Sequence, residues 1–187
     1  SNNSVKYAHL VNSGWSISTV KSGLSWTDNS TFYSETSIAI DSFDDVHITY
    51  YDTGLQHAFH GDNSWEFKEI DSVVNIQGTL EIVIDGNDKI HISSHDKDNQ
   101  SLKYATSQAS QDIWDLSIVD SQADVGEYSS IVIDSNDDAH ISYFDASTKD
   151  LKYATDVSGN WATYTIDSGG DVGYGSSIAI DSNDALH

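Results

Sequence analysis

The stretch that decides the fold is Ser129–Asp145, SSIVIDSNDDAHISYFD. A short apolar run ends on Asp134, a cluster of Ser, Asn and Asp follows, and His140 opens a second run that alternates with period two. The same phrase occurs at 37–52 (SIAIDSFDDVHITYYD), at 80–96 (LEIVIDGNDKIHISSHD) and at 176–187 (SSIAIDSNDALH). Asp and His are six residues apart in all four copies. Such fixed spacing marks an internal repeat, the feature to settle before any local reading.

Two further phrases recur in a constant order. One is VKYA (5–8), LQHA (55–58) and LKYA (102–105 and 151–154). The other is a Trp opening an alternating run, at Trp15, Trp65, Trp114 and Trp161. Trp to the next Asp is 20 residues three times and 26 once, and successive Asp anchors are 44, 49 and 47 residues apart. Length varies only between phrases, where surface loops tolerate insertion. Each phrase is short, rich in β-branched and aromatic residues, and bounded by Gly, Asp, Asn or Ser, and none keeps a helical period. Each unit of about 47 residues therefore reads as four strands in the order a (SIAID), b (HISYFD), c (LKYA) and d (from Trp). The expected fold is all-β: a β-propeller of four-stranded antiparallel blades, with 1–187 as one domain. Strand a, apolar on both faces, is expected innermost. A lone meander cannot cover its own faces, whereas blade on blade can.

The unit SIAIDSNDDAHISYFD…LKYAT resembles the blade repeats of the NHL type and of related bacterial and archaeal secreted propellers. That resemblance implies a binding or scaffolding module and covers the whole chain. It departs at the turn, where those repeats carry Gly-Asn and this chain has Asn-Asp.

The chain opens on strands c and d and reaches a and the first residue of b at His187. Three arrangements follow: a four-bladed ring whose last blade is shared between N- and C-terminal strands, four blades of a longer propeller, or a homo-oligomer completing a larger ring. Pairing the terminal strands would protect otherwise free sheet edges.

Thirty acidic residues against eight Lys and no Arg give a net charge of −22. Phosphate backbones are repelled by such a balance, which argues against nucleic acid as a partner. Without Cys there is no disulfide framework or thiolate metal site, and no apolar run is long enough for a spanning helix. An extracellular or cell-surface location is expected.

The Asp- and Asn-rich a→b loops suit either tight turns or calcium. Asp134, Asn136 and Asp138 form the best oxygen-ligand set, although the full D-x-[DN]-x-[DN]-G loop is not met and no other cofactor is indicated. The d→a loops differ from copy to copy. The first carries a six-residue insertion with Trp26, Asp28, Phe32 and Tyr33, and the third and fourth offer Asp124 with Tyr128 and Asp171 with Tyr174. Aromatics beside carboxylates suit sugar faces and hydroxyls, or a protein partner. A sialidase-like site would need an arginine cluster, which a chain without Arg cannot supply. No G-x-S-x-G elbow is found either. The expected function is a non-catalytic binding module for a glycan or protein. The alternatives are a purely structural segment of a larger surface protein, or a glycoside-active enzyme.

Overall fold

The computed structural model describes residues 3–25, 35–61, 64–72, 75–108 and 113–187. Four-stranded antiparallel sheets form from consecutive strands, in the order that the repeat predicts. Blade B is β3 (Thr36–Ile40), β4 (Val46–Tyr51), β5 (Leu55–Gly61) and β6 (Ser64–Asp71). Blade C is β7 (Ile76–Ile84), β8 (Ile90–Asp96), β9 (Ser101–Ser107) and β10 (Trp114–Asp120). Blade D is β11 (Val125–Ile133), β12 (Ala139–Asp145), β13 (Asp150–Thr155) and β14 (Ala162–Asp167). Ahead of them β1 (Ser4–Val11) and β2 (Gly14–Ser22) make a two-stranded half-blade. After them Ala179 and His187 exchange both backbone hydrogen bonds, at 2.9 Å each, around the last turn. Among the described residues β1 pairs with β2 alone, so the N- and C-terminal halves do not form one sheet. No helix of the described residues is long and apolar enough to cross a membrane.

Inner strands stand side by side, β7 next to β3 and β11 next to β7. Each step carries one hydrogen bond from a backbone amide to the preceding inner strand. Ile82 N donates to Ser37 Oγ at 3.2 Å, Ile131 N to Glu81 Oε2 at 2.7 Å, and Ile178 N to Ser130 Oγ at 3.3 Å. The strands buried along their whole length are the second ones, however: all seven residues of β8 and of β12 are buried. Strand a is less covered: in β3, Ile38 and Ile40 remain exposed. Strand b is covered by a, by c and by the blade on its other side.

The core consequently lies between blades. Leu55 and Ile70 of blade B pack with Ile82, Ile90 and Ile92 of blade C. Leu102, Tyr104 and Val119 of blade C pack with Ile131, Ile141 and Tyr143 of blade D. Val5 and Val20 of the half-blade pack with Val46, Ile48 and Tyr50. Each fully buried aliphatic side chain contributes about 1.5–3 kcal/mol relative to exposure. The repeated Trp closes each gap edge-on against the strand-c aromatic of the preceding blade: Trp65 on Tyr7, Trp114 on His57 and Trp161 on Tyr104, with centroids 5.8, 5.5 and 5.0 Å apart.

β7 and β11 begin earlier than the repeat phrase, inside segments that read as d→a loops in the sequence. Bulges between Val125 and Ser130 make this extension possible. Gly126 at φ 105° lets the chain cross Leu102 so closely that a Cβ would lie 2.8 Å from the Leu102 Cα.

Candidate functional site

On the a→b side, each Asp anchor closes its own turn. Asp134 Oδ1 accepts from the amides of Asn136 (2.8 Å) and Asp138 (3.0 Å), and Asp41, Asp85 and Asp181 do the same two and four residues on. The residue three after each anchor, Asp44, Asp88, Asp137 or Asp184, takes the left-handed conformation that Asp tolerates. In Asp88, Asp137 and Asp184 the carboxylate reaches back to the preceding blade. Ser42 donates to Asp88 from both amide and hydroxyl, Asn87 donates to Asp137, and Ser135 donates to Asp184.

The other anchor oxygen faces the repeated His: Asp85 Oδ2 to His91 Nε2 is 3.1 Å and Asp134 to His140 is 3.5 Å. The far ring nitrogen meets strand c, His91 Nδ1 with the Tyr104 hydroxyl at 2.5 Å and His140 Nδ1 with that of Tyr153 at 2.6 Å. In blade B the partner is His57, 3.0 Å from His47. Burial lowers the pKa of His47 and His91 despite their Asp partners, and it drives His57 down to about 3, with His47 adding to the shift. Burial alone would raise Asp85, but the amides of Lys89 and Asn87 and the ring of His91 hold it below the usual carboxylate value. These groups close turns and latch blades. Asp134 and Asn136 serve the turn, and no cluster of three His, Asp or Glu among the described residues could hold a metal.

The d→a side is different. Trp26, Asp28, Phe32 and Tyr33 lie outside the described residues. Tyr128 and Tyr174 come together with ring centroids 4.2 Å apart. Phe144, at the end of β12, completes a three-ring cluster at 6.4 Å from Tyr128 and 5.9 Å from Tyr174. Phe144 is buried and supports the cluster from below, whereas Tyr174 is 71% exposed. Tyr128 sits at φ 54°, an uncommon conformation for an aromatic residue, and its carbonyl accepts from Ser176 Oγ at 3.2 Å. Burial pushes its hydroxyl pKa up, and Tyr174, Glu127 and Glu35 reinforce the shift. Glu35, just ahead of inner strand β3, is itself raised by burial. The cluster is therefore an aromatic platform on the d→a side, with the Glu127 and Glu35 carboxylates within electrostatic reach.

The remaining sequence candidates do not join it. Asp124 faces His95 at 3.4 Å and its amide donates to Ser147 Oγ. Asp171 pairs with Lys149 at 2.8 Å on the exposed loop. Sequence reasoning missed Phe144 and Glu35. For Phe144 a signal existed: the penultimate position of strand b runs Tyr51, His95, Phe144, while the Asp that follows it is the same in all three copies.

No protein-family model matches the chain, and no curated protein matches it. Solved structures do. A protein of unknown function from Dyadobacter fermentans aligns over 93% of this chain and 60% of its own, at 11% identity and a TM-score of 0.64. An exo-β-1,3-galactanase from Phanerochaete chrysosporium aligns over 83% of this chain and 41% of its own (13% identity, TM-score 0.52). For the intramolecular trans-sialidase from Ruminococcus gnavus the figures are 80% and 37% (14% identity, TM-score 0.52).

The fold is that of a β-propeller.

This chain spans 60% or less of the length of each of these propellers. At 11–14% identity the likeness is one of fold. The NHL-type resemblance gains nothing from these alignments.

Proposed function

We propose that the chain is a non-catalytic glycan-binding propeller with NHL-like blades, working outside the cell or at its surface, and that it binds at the Tyr128–Phe144–Tyr174 cluster. The observation that carries this reading is an exposed tyrosine, Tyr174, packed at a tilt against Tyr128 with ring centroids 4.2 Å apart, and the half-buried Glu127 and Glu35 within electrostatic reach. Aromatic faces cover the apolar side of a pyranose, while phenol and carboxylate oxygens take its hydroxyl hydrogen bonds. The site's charge favours neutral sugars: Glu35 and Glu127 would repel uronic or sialic acids, and the loop cation Lys149 is held by Asp171. That similar folds include an exo-β-1,3-galactanase is compatible with a saccharide ligand.

A glycan array tests this. Neutral galactose- or glucose-type oligosaccharides should give reproducible signal, and Tyr174→Ala should abolish it without lowering the melting temperature. A parent chain that binds no glycan leaves the purely structural role. Glycoside hydrolysis is a second reading, favoured by Glu35, whose raised carboxyl is what a general acid needs. Turnover of aryl glycosides by the parent and its loss in Glu35→Gln would establish it; no turnover would leave binding alone.

A further inference from the structure

We propose that the step between blades B and C is a binding site for one internal water molecule, held by the Trp114 indole N–H, His57 Nδ1 and the Thr49 hydroxyl. This goes beyond the glycan reading and stands independently of it. Blades B and C are both complete four-stranded sheets, so the step is an internal one.

Comparison with the next step carries the argument. Between blades C and D the polar groups satisfy one another. Trp161 Nε1 donates to Ser117 Oγ at 3.2 Å, Ser93 Oγ meets Ser129 Oγ at 3.1 Å, and the Tyr104 hydroxyl meets His91 Nδ1 at 2.5 Å. One blade earlier the repeat sets other residues in the receiving positions. Lys68 stands where Ser117 does, Leu80 where Ser129 does, and His57 where Tyr104 does, while Thr49 takes the place of Ser93. An ammonium and a leucine side chain accept nothing. Trp114 Nε1, Thr49 Oγ1 and His57 Nδ1 are consequently buried atoms with no hydrogen-bond partner among the described residues. Thr49 and His57 are 0% and 1% exposed.

The three groups belong to one interface. Thr49 and His57 are cross-strand partners on β4 and β5, which sets their Cβ atoms about 4.5–5.5 Å apart on one face of the sheet. Trp114 meets the His57 ring edge-on from blade C. The imidazole is smaller than a phenol, yet its centroid lies 5.5 Å from the indole, against 5.0 Å for Tyr104 and Trp161. Room is therefore left beside the Trp114 N–H.

The relay behind His57 decides what kind of molecule fits. The Asp41 carboxylate only accepts, so His47 Nε2, 3.4 Å from it, carries the ring proton. Burial lowers the pKa of His47, and the neutral ring offers a lone pair at Nδ1. His57 Nε2, 3.0 Å away, donates to that lone pair. Burial, with His47 adding to it, takes the His57 pKa down to about 3, so this ring is neutral as well and its Nδ1 is a bare acceptor. The occupant must accept from Trp114 and donate to His57. Water does both, and Thr49 makes a third partner, about the usual number for an internal water. Chloride has no proton for His57, and ammonium has no lone pair for Trp114.

The test is NMR on the whole isotope-labelled protein. Trp114 Hε1 should show a dipolar cross-peak to a long-lived water, and the His57 nitrogen shifts should report the Nε2–H tautomer. His57→Tyr, which sets at 57 the ring found at 104 and 153, removes the acceptor; the water cross-peak should vanish while the Trp161 indole signal stays in place. An Nδ1–H tautomer at His57 would overturn the proposal, because the relay would then run the other way. So would a Trp114 Hε1 without a water cross-peak, or one with a scalar coupling directly to His57 Nδ1. Persistence of the cross-peak in folded His57→Tyr would overturn it too, since His57 would not then hold the water.

Discussion

Asp120→Ala is the perturbation that most sharply separates inter-blade packing from mere strand propensity. Asp120 is 4% exposed, and one of its oxygens takes both the Tyr143 hydroxyl and the Lys152 ammonium. Burial would raise its pKa, but Lys152, Tyr143 and the Gln122 amide outweigh that and hold it below the usual carboxylate value. Removing it leaves the Lys152 charge buried at 8% exposure and a buried hydroxyl without its acceptor. Breaking one partner of a buried ion pair costs roughly 3–5 kcal/mol. With a urea slope of about 2 kcal/mol/M, the midpoint should fall by roughly 1.5–2.5 M. Asp167→Ala alters the same repeat position at a residue exposed in this chain, and its midpoint should not move measurably. Adding Lys152→Met to Asp120→Ala should recover much of the loss, because the uncompensated charge goes with it. Equal midpoint shifts for the Asp120 and Asp167 variants would refute the reasoning, since burial between blades would then not be what holds the pair.

His57 makes the chain sensitive to acid. Its folded pKa of about 3 lies below the ordinary value of 6.5, so the unfolded chain binds the proton first. The stability it contributes is complete above pH 6.5 and falls by up to about 1.4 kcal/mol per pH unit below it. His57→Tyr, the residue present at the equivalent positions 104 and 153, should flatten chemical-denaturation midpoints between pH 6.5 and 4. An unchanged slope would count against the buried His47–His57 pair. Calcium at millimolar concentration should leave the melting temperature unmoved, because Asp134 and its equivalents already serve turn amides and histidines. A rise of several degrees would restore the metal reading of Asp134, Asn136 and Asp138.

The architecture was legible because its signals are short-range and repeated. Period-two runs give strands, the Asp-Ser-Asn-Asp cluster gives turns, and four copies in one order give blades. The most buried strand was not legible. Strand a is the more apolar in composition, yet b is the one sandwiched, and its Ser93, Ser94 and Ser142 are buried because small side chains fit where sheets stack closely. Strand extension through Val125–Ser129 was hidden because Gly126 and Tyr128, both at positive φ, carry the chain through a bulge in a segment that reads as a loop. At the site, Tyr128 and Tyr174 stood out by failing to repeat. Phe144 meets Tyr128 from the end of strand b and Glu35 acts on it electrostatically from ahead of β3, and only the packing of neighbouring blades brings them together.

The central claim is that ligand binds on the d→a side, at the Tyr128–Phe144–Tyr174 cluster. The direct test is a titration of the isotope-labelled chain with the neutral oligosaccharide giving the strongest array signal, followed by amide NMR. The account predicts saturable shifts confined to Glu35, Tyr128, Phe144, Tyr174 and their neighbours, with the Asp134–His140 and Asp85–His91 turns unmoved. Shifts concentrated at those turns would contradict it.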